Sequence, residues 1–256
     1  MPGSMQPWSK EPTGPIVGPF VLLNRDKRTL TLFGSIHAST DIGMITSESI
    51  PFLAENVTAS LLILGSESKE PITLLINNAG GSVQAGITII QAIEHLKANG
   101  VPVRMVVMGT AASMASVILA TGSIGHRYSF PRALVHFHSG HQQIAGTPEE
   151  VERAEKFAKR LHGQMHEILA FETKLPEYFL KRVRDEWEEN SAAALDPSTE
   201  KGREKRLKFV KEFLGAETYL SAEQALEAGV IDKILVPGDP LVDEIFRLKS
   251  GKEGGL

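Results

Sequence analysis

The chain has 256 residues, no cysteine and a formal net charge of −4 at pH 7, with 42% hydrophobic and 23% charged residues. This length and composition suit a single large globular domain rather than a disordered chain. The absence of cysteine excludes disulfides, a thiol nucleophile and a thiolate zinc site, and the small negative charge gives no reason to expect nucleic acid as a partner.

The N-terminal segment is rich in proline and glycine and lacks a charged stretch followed by an apolar one. We therefore expect a flexible arm over residues 1–20 and no signal peptide. No apolar run in the chain reaches the ~20 residues that a membrane span needs. These features lead us to expect no membrane association and a cytoplasmic location.

Predicted strands and helices alternate through the first half of the chain. Continuous apolar runs are typical of strands that are buried on both faces, and helical periodicity lies between them. The expected elements are a strand at Leu30–Phe33 ending at Gly34, a helix around Ile45–Ala59 with a polar break at Gly65–Glu70, a strand at Thr73–Asn77, a helix from Val83 to Leu96, a strand at Pro102–Met108, a helix from about Ser113 to Ala120 and a strand at Ala133–His138. This alternation predicts an α/β domain.

The second half is predicted to be mainly helical. The run Thr147-Pro148-Glu149-Glu150 has the pattern of a capping box with proline at the first helical position, so it predicts the start of a long helix. The elements expected after it are helices at Glu177–Glu189 and Gly202–Leu214, a linker at Asn190–Glu200, a capping box formed by Ser221 and Gln224, a glycine cap at Gly229, a strand at Val230–Val236 and a frayed tail from Lys249.

Two glycine-containing turns follow two of the buried strands, at the sheet edge where open α/β sheets bind their ligands. The first turn is Gly80-Gly81, and the second leads from Gly109 into Ser113. Ser113 therefore stands at the start of a helix, where free N–H groups favour the negative charge that develops in acyl transfer. By position alone, Ser113 is either a nucleophile or an ordinary N-cap.

A nucleophilic serine needs a base, and three histidines occur on or just after the next predicted strand. His138 ends that strand, His136 shares its face and His141 follows. His138 is a candidate base for Ser113. The three histidines are equally a candidate metal site, because imidazole is the commonest metal ligand.

Together these segments resemble the Clp protease proteolytic subunit. The resemblance rests on Asn77–Gly81, Met108–Ala115, Val135–His138, and the stretch from Tyr219 to Asp232 that contains Leu220-Ser221-Ala222. It covers roughly residues 30–236 and implies an α/β Clp protease/crotonase-like fold with a long handle helix. In that family Ser113 would be the nucleophile and His138 the general base.

The resemblance implies the remaining site residues as well. The backbone N–H groups of Gly81 and Met114 would form the oxyanion hole, and no cofactor or metal is expected. Glu217 stands where the family has the aspartate that orients the histidine, and Asp185 is the alternative acid. The Glu-Thr-aromatic run that begins at Glu217 is also similar to the phage-encoded, head-maturation branch of the family.

The same resemblance implies the organisation of the chain and its partners. The expected regions are the arm (1–20), a head domain with nucleophile and oxyanion hole (21–147), a handle helix region (148–186), an inserted helical segment (187–214), the C-terminal part of the head (215–240) and a tail (241–256). The enzyme would be a serine endopeptidase that cleaves unfolded polypeptides inside stacked rings, two heptamers by resemblance. An AAA+ unfoldase is the implied partner.

Two other functions stay open at this stage. An acyl-CoA hydratase or isomerase of the crotonase type would use the same two N–H groups to hold a thioester enolate. A catalytically inactive, ring-forming homologue would use the handle and the insertion for assembly alone.

Overall fold

A computed structural model describes residues 16–17, 22–38, 52–140, 145–183, 194–215 and 217–246. These residues form an α/β fold built on a mostly parallel sheet, which confirms the predicted fold class. Most of the expected arm lies outside the described residues, as do His141, Asp185 and the tail from Lys249.

The main sheet has eight strands among the described residues. The described strands of this sheet and of a separate two-stranded pair are, in chain order, β1 (Ile16–Val17), β2 (Leu22–Leu23), β3 (Thr29–His37), β4 (Phe52–Leu53), β5 (Ile72–Gly81), β6 (Val103–Ala112), β7 (Arg127–Ser129), β8 (Leu134–Phe137), β9 (Thr218–Ser221) and β10 (Lys233–Ile234). The spatial order is β10-β7-β6-β5-β3-β4, with β8 beside β6 and β9 beside β8. Only β8 and β9 pair antiparallel within this sheet, whereas β1 and β2 form a separate antiparallel pair.

The helices are α1 (Ala54–Glu67), α2 (Val83–Ala98), α3 (Met114–Ala120), α4 (Pro148–Phe171), α5 (Leu175–Val183), α6 (Glu200–Gly215), α7 (Ala222–Glu227) and α8 (Pro240–Phe246). Both predicted capping boxes are present. The Thr147 hydroxyl accepts from the N–H of Glu150 at the start of α4, and the Ser221 hydroxyl accepts from the N–H of Gln224 at the start of α7. Each box supplies partners to N–H groups that have no acceptor within the helix.

The two faces of the sheet contact different apolar clusters. Met105 and Val107 of β6 belong to the main core, whereas Val106 belongs to a second cluster that includes Ile245 of α8. Successive side chains of a strand point to opposite faces, so the apolar run in β6 is buried on both sides. This is the arrangement that the continuous apolar runs predict.

Strand β6 changes its neighbour on one edge halfway along its length. Its first half pairs with β7, ending at Val107 opposite Ser129, and its second half pairs with β8, beginning at Thr110 opposite Leu134. The register with β5 also shifts at this point, and the Asn77 carboxamide oxygen accepts from the N–H of Thr110 at 3.1 Å. Such irregularities bend a strand and redirect its end. Here they bring the end of β6 next to β8.

Helix α6, which belongs to the predicted insertion, packs against α4 and α5 of the same chain. Arg206 anchors it, because this side chain is only 7% exposed and donates to the carbonyl of Ala170 in the last turn of α4 at 2.7 Å. It also donates to the carbonyl of Thr173 at 3.1 Å and forms an ion pair with Glu177. Carbonyls at a helix C-terminus lack partners within the helix, and Arg206 supplies one.

A second buried ion pair joins β7 to the loop before β10. Arg127 and Asp232 meet at 2.7 Å, and their side chains are 5% and 18% exposed. Burial alone would raise the pKa of Asp232, but the hydrogen bonds and charge of Arg127, with the N–H of Gly125, hold that pKa below its ordinary value. Asp232 is therefore a carboxylate that the fold stabilises in its ionised form.

Several predicted element bounds are wrong, among them the ends of β5 and β6, which continue past Asn77 and Met108 to Gly81 and Ala112. Helix α1 begins at Ala54 and continues through Glu67, past the predicted break at Gly65, because Leu61 and Leu64 extend its buried stripe. Strand β3 continues past Gly34 to His37, with a register shift after Gly34 that absorbs the irregularity. The predicted final strand shrinks to Lys233–Ile234, because its partner among the described residues is the short strand β7, which has three residues.

Candidate active site

Ser113 occupies the turn between the end of β6 and the start of α3. Its backbone has φ 53° and ψ −125°, and among the described non-glycine residues only Arg28 also has a positive φ. A bulky residue held there is strained by about 1–3 kcal/mol and persists only where the surroundings enforce it. The Ser113 side chain makes no capping hydrogen bond to α3. Its hydroxyl is therefore not used as an N-cap, the ordinary role of a serine at this position.

The backbone of Ser113 is held by contacts on both sides. Its N–H donates to the carbonyl of His136 at 2.9 Å, and its carbonyl accepts from the buried Ser116 hydroxyl at 2.6 Å. These bonds fix the strained turn against β8, the strand that carries the candidate histidines. The position of Ser113 relative to β8 is thus set by backbone contacts and not by its own side chain.

The Gly80-Gly81 turn lies directly against Ser113. A Cβ on Gly80 would lie 2.6 Å from Cβ of Ser113 and 3.0 Å from the backbone nitrogen of Met114. A Cβ on Gly81 would lie 2.1 Å from the carbonyl oxygen of Ile36, and both glycines have positive φ, 93° and 146°. Only glycine fits at either position. The two turns that the sequence singles out therefore meet at one point.

One face of the β8–β9 pair carries the other predicted site residues. His136 is opposite Tyr219 and Phe137 is opposite Thr218 in the antiparallel register, which continued by one residue would set His138 opposite Glu217. Side chains alternate along each strand, so these two histidines, Tyr219 and Glu217 belong to the same face. The sequence predicts His138 and Glu217 at this site, but it does not predict that Tyr219 lies beside the histidines.

Glu217 lies close to His136. Oε1 of Glu217 lies 3.9 Å from Nε2 of His136, and the Glu217 side chain is 64% exposed. Nδ1 of His138 accepts a hydrogen bond from the N–H of Gly140 at 3.1 Å. A nitrogen that accepts cannot also carry the proton, so a neutral His138 in this state is protonated at Nε2. Donation from Nδ1 to Glu217 would need the other tautomer.

A comparison with family models finds the Clp protease model matched over residues 24–196, more than half of the chain. The chain belongs to the Clp protease family. The match includes both glycine turns, Ser113 and His138, and it ends before Glu217. The family implies a peptidase. Membership favours that activity over the acyl-CoA chemistry considered from the sequence, whereas the phage-type branch stays a prediction.

In this Clp protease the described residues give little support to a metal site. Within them, no three histidine or acidic side chains converge in the way that binding an ion requires, and His141 lies outside them. No described helix combines the length and apolar character needed to cross a membrane.

The electrostatics of the site centre on His136. Burial lowers the pKa of His136, the neighbouring His138 lowers it further, and Glu217 acts in the opposite direction. Within the described residues, its buried Nε2 has no hydrogen-bond partner. His136 is therefore a neutral ring near neutral pH. The sequence indicates that His136 lies near the base, but it does not predict that the His136 ring is buried and has a lowered pKa.

Proposed function

We propose that this chain is a serine endopeptidase that hydrolyses peptide bonds of unfolded polypeptides, with Ser113 as nucleophile. The observation that carries the proposal is the conformation of Ser113. The residue is held in a strained strand-to-helix turn, its hydroxyl is not used as a cap, and it lies inside the family match. Strain of this kind persists only where the surroundings enforce it, and it is concentrated at functional sites.

In the proposed acylation step, His138 takes the proton of the Ser113 hydroxyl as the oxygen attacks the scissile carbonyl carbon. The carbonyl oxygen becomes an oxyanion, and the N–H groups of Gly81 and Met114 donate to it. One such donor is typically worth about 3–4 kcal/mol of transition-state stabilisation. The intermediate collapses, the peptide C–N bond breaks, and His138 gives its proton to the leaving amine.

In the proposed deacylation step, His138 takes a proton from water, which attacks the ester carbon of the acyl-enzyme. The Ser113 oxygen leaves with that proton, which restores the free enzyme and releases a carboxylic acid. Glu217 would orient His138 and stabilise its imidazolium by accepting from Nδ1–H. That role requires the hydrogen bond from Gly140 to Nδ1 to be replaced by one from Nδ1 to Glu217. Substrate complexes commonly tighten such contacts relative to the free enzyme.

The assembly that we propose encloses these sites in stacked rings, as is typical of the family. Helix α4 has apolar side chains outside the core, with Phe157 51% exposed and Leu161 partly buried, whereas the partly buried Met165 packs against the core of its own subunit. A two-fold contact between the same helices of facing subunits would cover them. An intracellular peptidase with sites that accept unfolded chains needs such enclosure. Two heptamers and an AAA+ unfoldase are the assembly and partner that the family suggests.

Covalent labelling with a fluorophosphonate tests the proposal. We expect one adduct, on Ser113, in the assembled wild-type protein and none in Ser113→Ala, whereas Ser66→Ala at the exposed end of α1 serves as the matched control and labels normally. His138→Ala should lower the labelling rate by several orders of magnitude. Peptide mapping that finds the adduct on another serine, or no adduct on assembled protein, overturns the assignment.

The acid is tested separately with Glu217→Gln. The amide keeps the shape of the side chain but not its charge, so peptide turnover should fall while the urea midpoint of unfolding stays the same. Unchanged turnover would show that Glu217 is an exposed strand-end residue with no part in the reaction.

A further inference from the structure

Three rings form a continuous parallel stack on the face of the β8–β9 pair. The centroids of His136 and Tyr219 are 4.1 Å apart with 7° between the ring planes, and those of His136 and His138 are 5.1 Å apart with 4° between planes. His136 is thus the middle ring, with the exposed Tyr219 on one side and the candidate base on the other. Its side chain is only 13% exposed.

The backbone sets this stack. The antiparallel register pairs His136 directly with Tyr219, and alternation along the strand brings His138 to the same face two residues later. The carbonyl of His136 also accepts the N–H of Ser113. One residue therefore contacts the candidate nucleophile through its backbone and the candidate base through its ring.

We propose that His136 is a positioning residue for the general base, and that its ring, held by Tyr219, fixes the plane in which His138 faces Ser113. This inference rests on the proposed function, in which His138 is the base. His138 lies one residue beyond the end of β8 at Phe137, where its Nδ1 accepts from the N–H of Gly140 and stacking on His136 adds a second contact to the ring. One stacked aromatic pair shifts an equilibrium between ring orientations roughly two- to tenfold. Stacking on His136 is therefore enough to favour one orientation of the His138 ring.

The charge of His136 follows from the groups that face it. On its own strand this is His138, and from the segment before β9 it is Glu217. On the neighbouring strand β6, the residue opposite His136 is the uncharged Ala112. Helix α3 has no titratable side chain. On α7, the carboxylate of Glu223 accepts a hydrogen bond from the Ser221 hydroxyl. Burial and the like charge of His138 outweigh Glu217, so the pKa of His136 lies below its ordinary value. The ring beside the base is neutral when the base is ready to react.

The two histidines are therefore coupled. When His138 takes the proton of Ser113 it becomes a cation, and a neutral ring stacked against it is a better neighbour than a second cation. Protonation of His136 at low pH would oppose that transfer, by the same like-charge interaction that lowers its own pKa. Acidification should thus slow the reaction in part through His136.

The test is the pH dependence of fluorophosphonate labelling at Ser113 in the assembled full chain. In the wild type, the labelling rate should fall more steeply on acidification than in a variant whose residue 136 cannot titrate, because protonation of His136 opposes proton transfer to its neighbour. His136→Phe keeps a flat ring in the stack but cannot titrate, so it should label within a few-fold of the wild type at pH 8 and fall less steeply at acid pH. His136→Ala removes the ring and should label roughly tenfold more slowly at all pH values.

The controls separate this inference from the proposed function. His95→Phe removes an exposed imidazole from the last turn of α2, far from the stack, and should keep the wild-type rate and pH dependence. Circular dichroism checks that His136→Ala is folded. If that variant does not fold, the pH dependence of labelling in His136→Phe still tests the role of His136. Equal pH dependence in the wild type and His136→Phe, or equal rates in the wild type and a folded His136→Ala, overturn the role of His136 alone. Absence of labelling in the wild type overturns the proposed function and this role with it.

Discussion

Replacing Arg206 with methionine should destabilise the fold much more than replacing its neighbour Arg203. Arg206→Met keeps the length of the side chain but leaves Glu177 without its cation and the carbonyls of Ala170 and Thr173 without their donor. Removing one partner from a buried ion pair costs about 3–5 kcal/mol, because the remaining charge loses its compensation. Glu177 is 33% exposed and solvent reaches it in part, so we expect the lower end, about 3 kcal/mol.

Arg203→Met is the matched control on the same helix. The Arg203 guanidinium lies 4.5 Å from the centre of the Phe171 ring and its residue is exposed, so the loss should be at most about 1 kcal/mol. Equilibrium urea unfolding, followed by circular dichroism, measures both values. If the two variants lie within 1 kcal/mol of each other, Arg206 does not anchor α6 to the end of α4, and the account of that helix is incorrect.

Three further outcomes are expected. Gly80→Ala would place a Cβ 2.6 Å from that of Ser113 and should abolish fluorophosphonate labelling, whereas Gly100→Ala, also at positive φ but with nothing within 4 Å of its Cβ, should label normally. Asp232→Asn leaves the buried Arg127 without its anion and should cost about 3 kcal/mol of unfolding free energy at pH 7. Because the pKa of Asp232 is lowered in the fold, the contribution of its charge is complete above the ordinary value of about 4 and is lost as the pH falls through the lowered value. Urea titrations of variant and wild type should therefore converge on acidification. Leu161→Asp combined with Met165→Asp should split the proposed rings and abolish the proposed peptidase activity, and light scattering that still finds a ring-sized particle would contradict the handle contact.

The order of strands and helices is predictable because local patterns determine it. Buried strands such as β5 and β6 appear as continuous apolar runs, and the capping boxes at Thr147 and Ser221 fix two helix starts to the residue. The misplaced bounds have a common cause. At Gly34 and Gly65 a local break signal is overridden by tertiary pairing or burial, neither of which is visible in a short window of sequence.

The candidate site was predictable only in part. Ser113 and His138 follow from the resemblance to the family, but the strained backbone of Ser113 depends on hydrogen bonds from distant residues. The ring stack depends on the register of β8 with β9, two strands about 80 residues apart in the chain. Arg206 looks like one more charge on a polar helix, and its burial arises only because α4 ends with carbonyls that need donors.

The change of neighbours along β6 has a consequence for local stability. The first half of β6 is bonded to β5 and β7 within the main core, while the strand carrying the histidines is a four-residue segment between the end of β6 and β9. Amide protons of β8 and β9 should therefore exchange with solvent through openings that leave β5 and the first half of β6 protected. The base belongs to the fast-exchanging unit, and the N–H of Ser113, which donates to the carbonyl of His136 in β8, should exchange with it. A substitution can thus unfold β8 and β9, the strands beside the general base, while the rest of the subunit stays native.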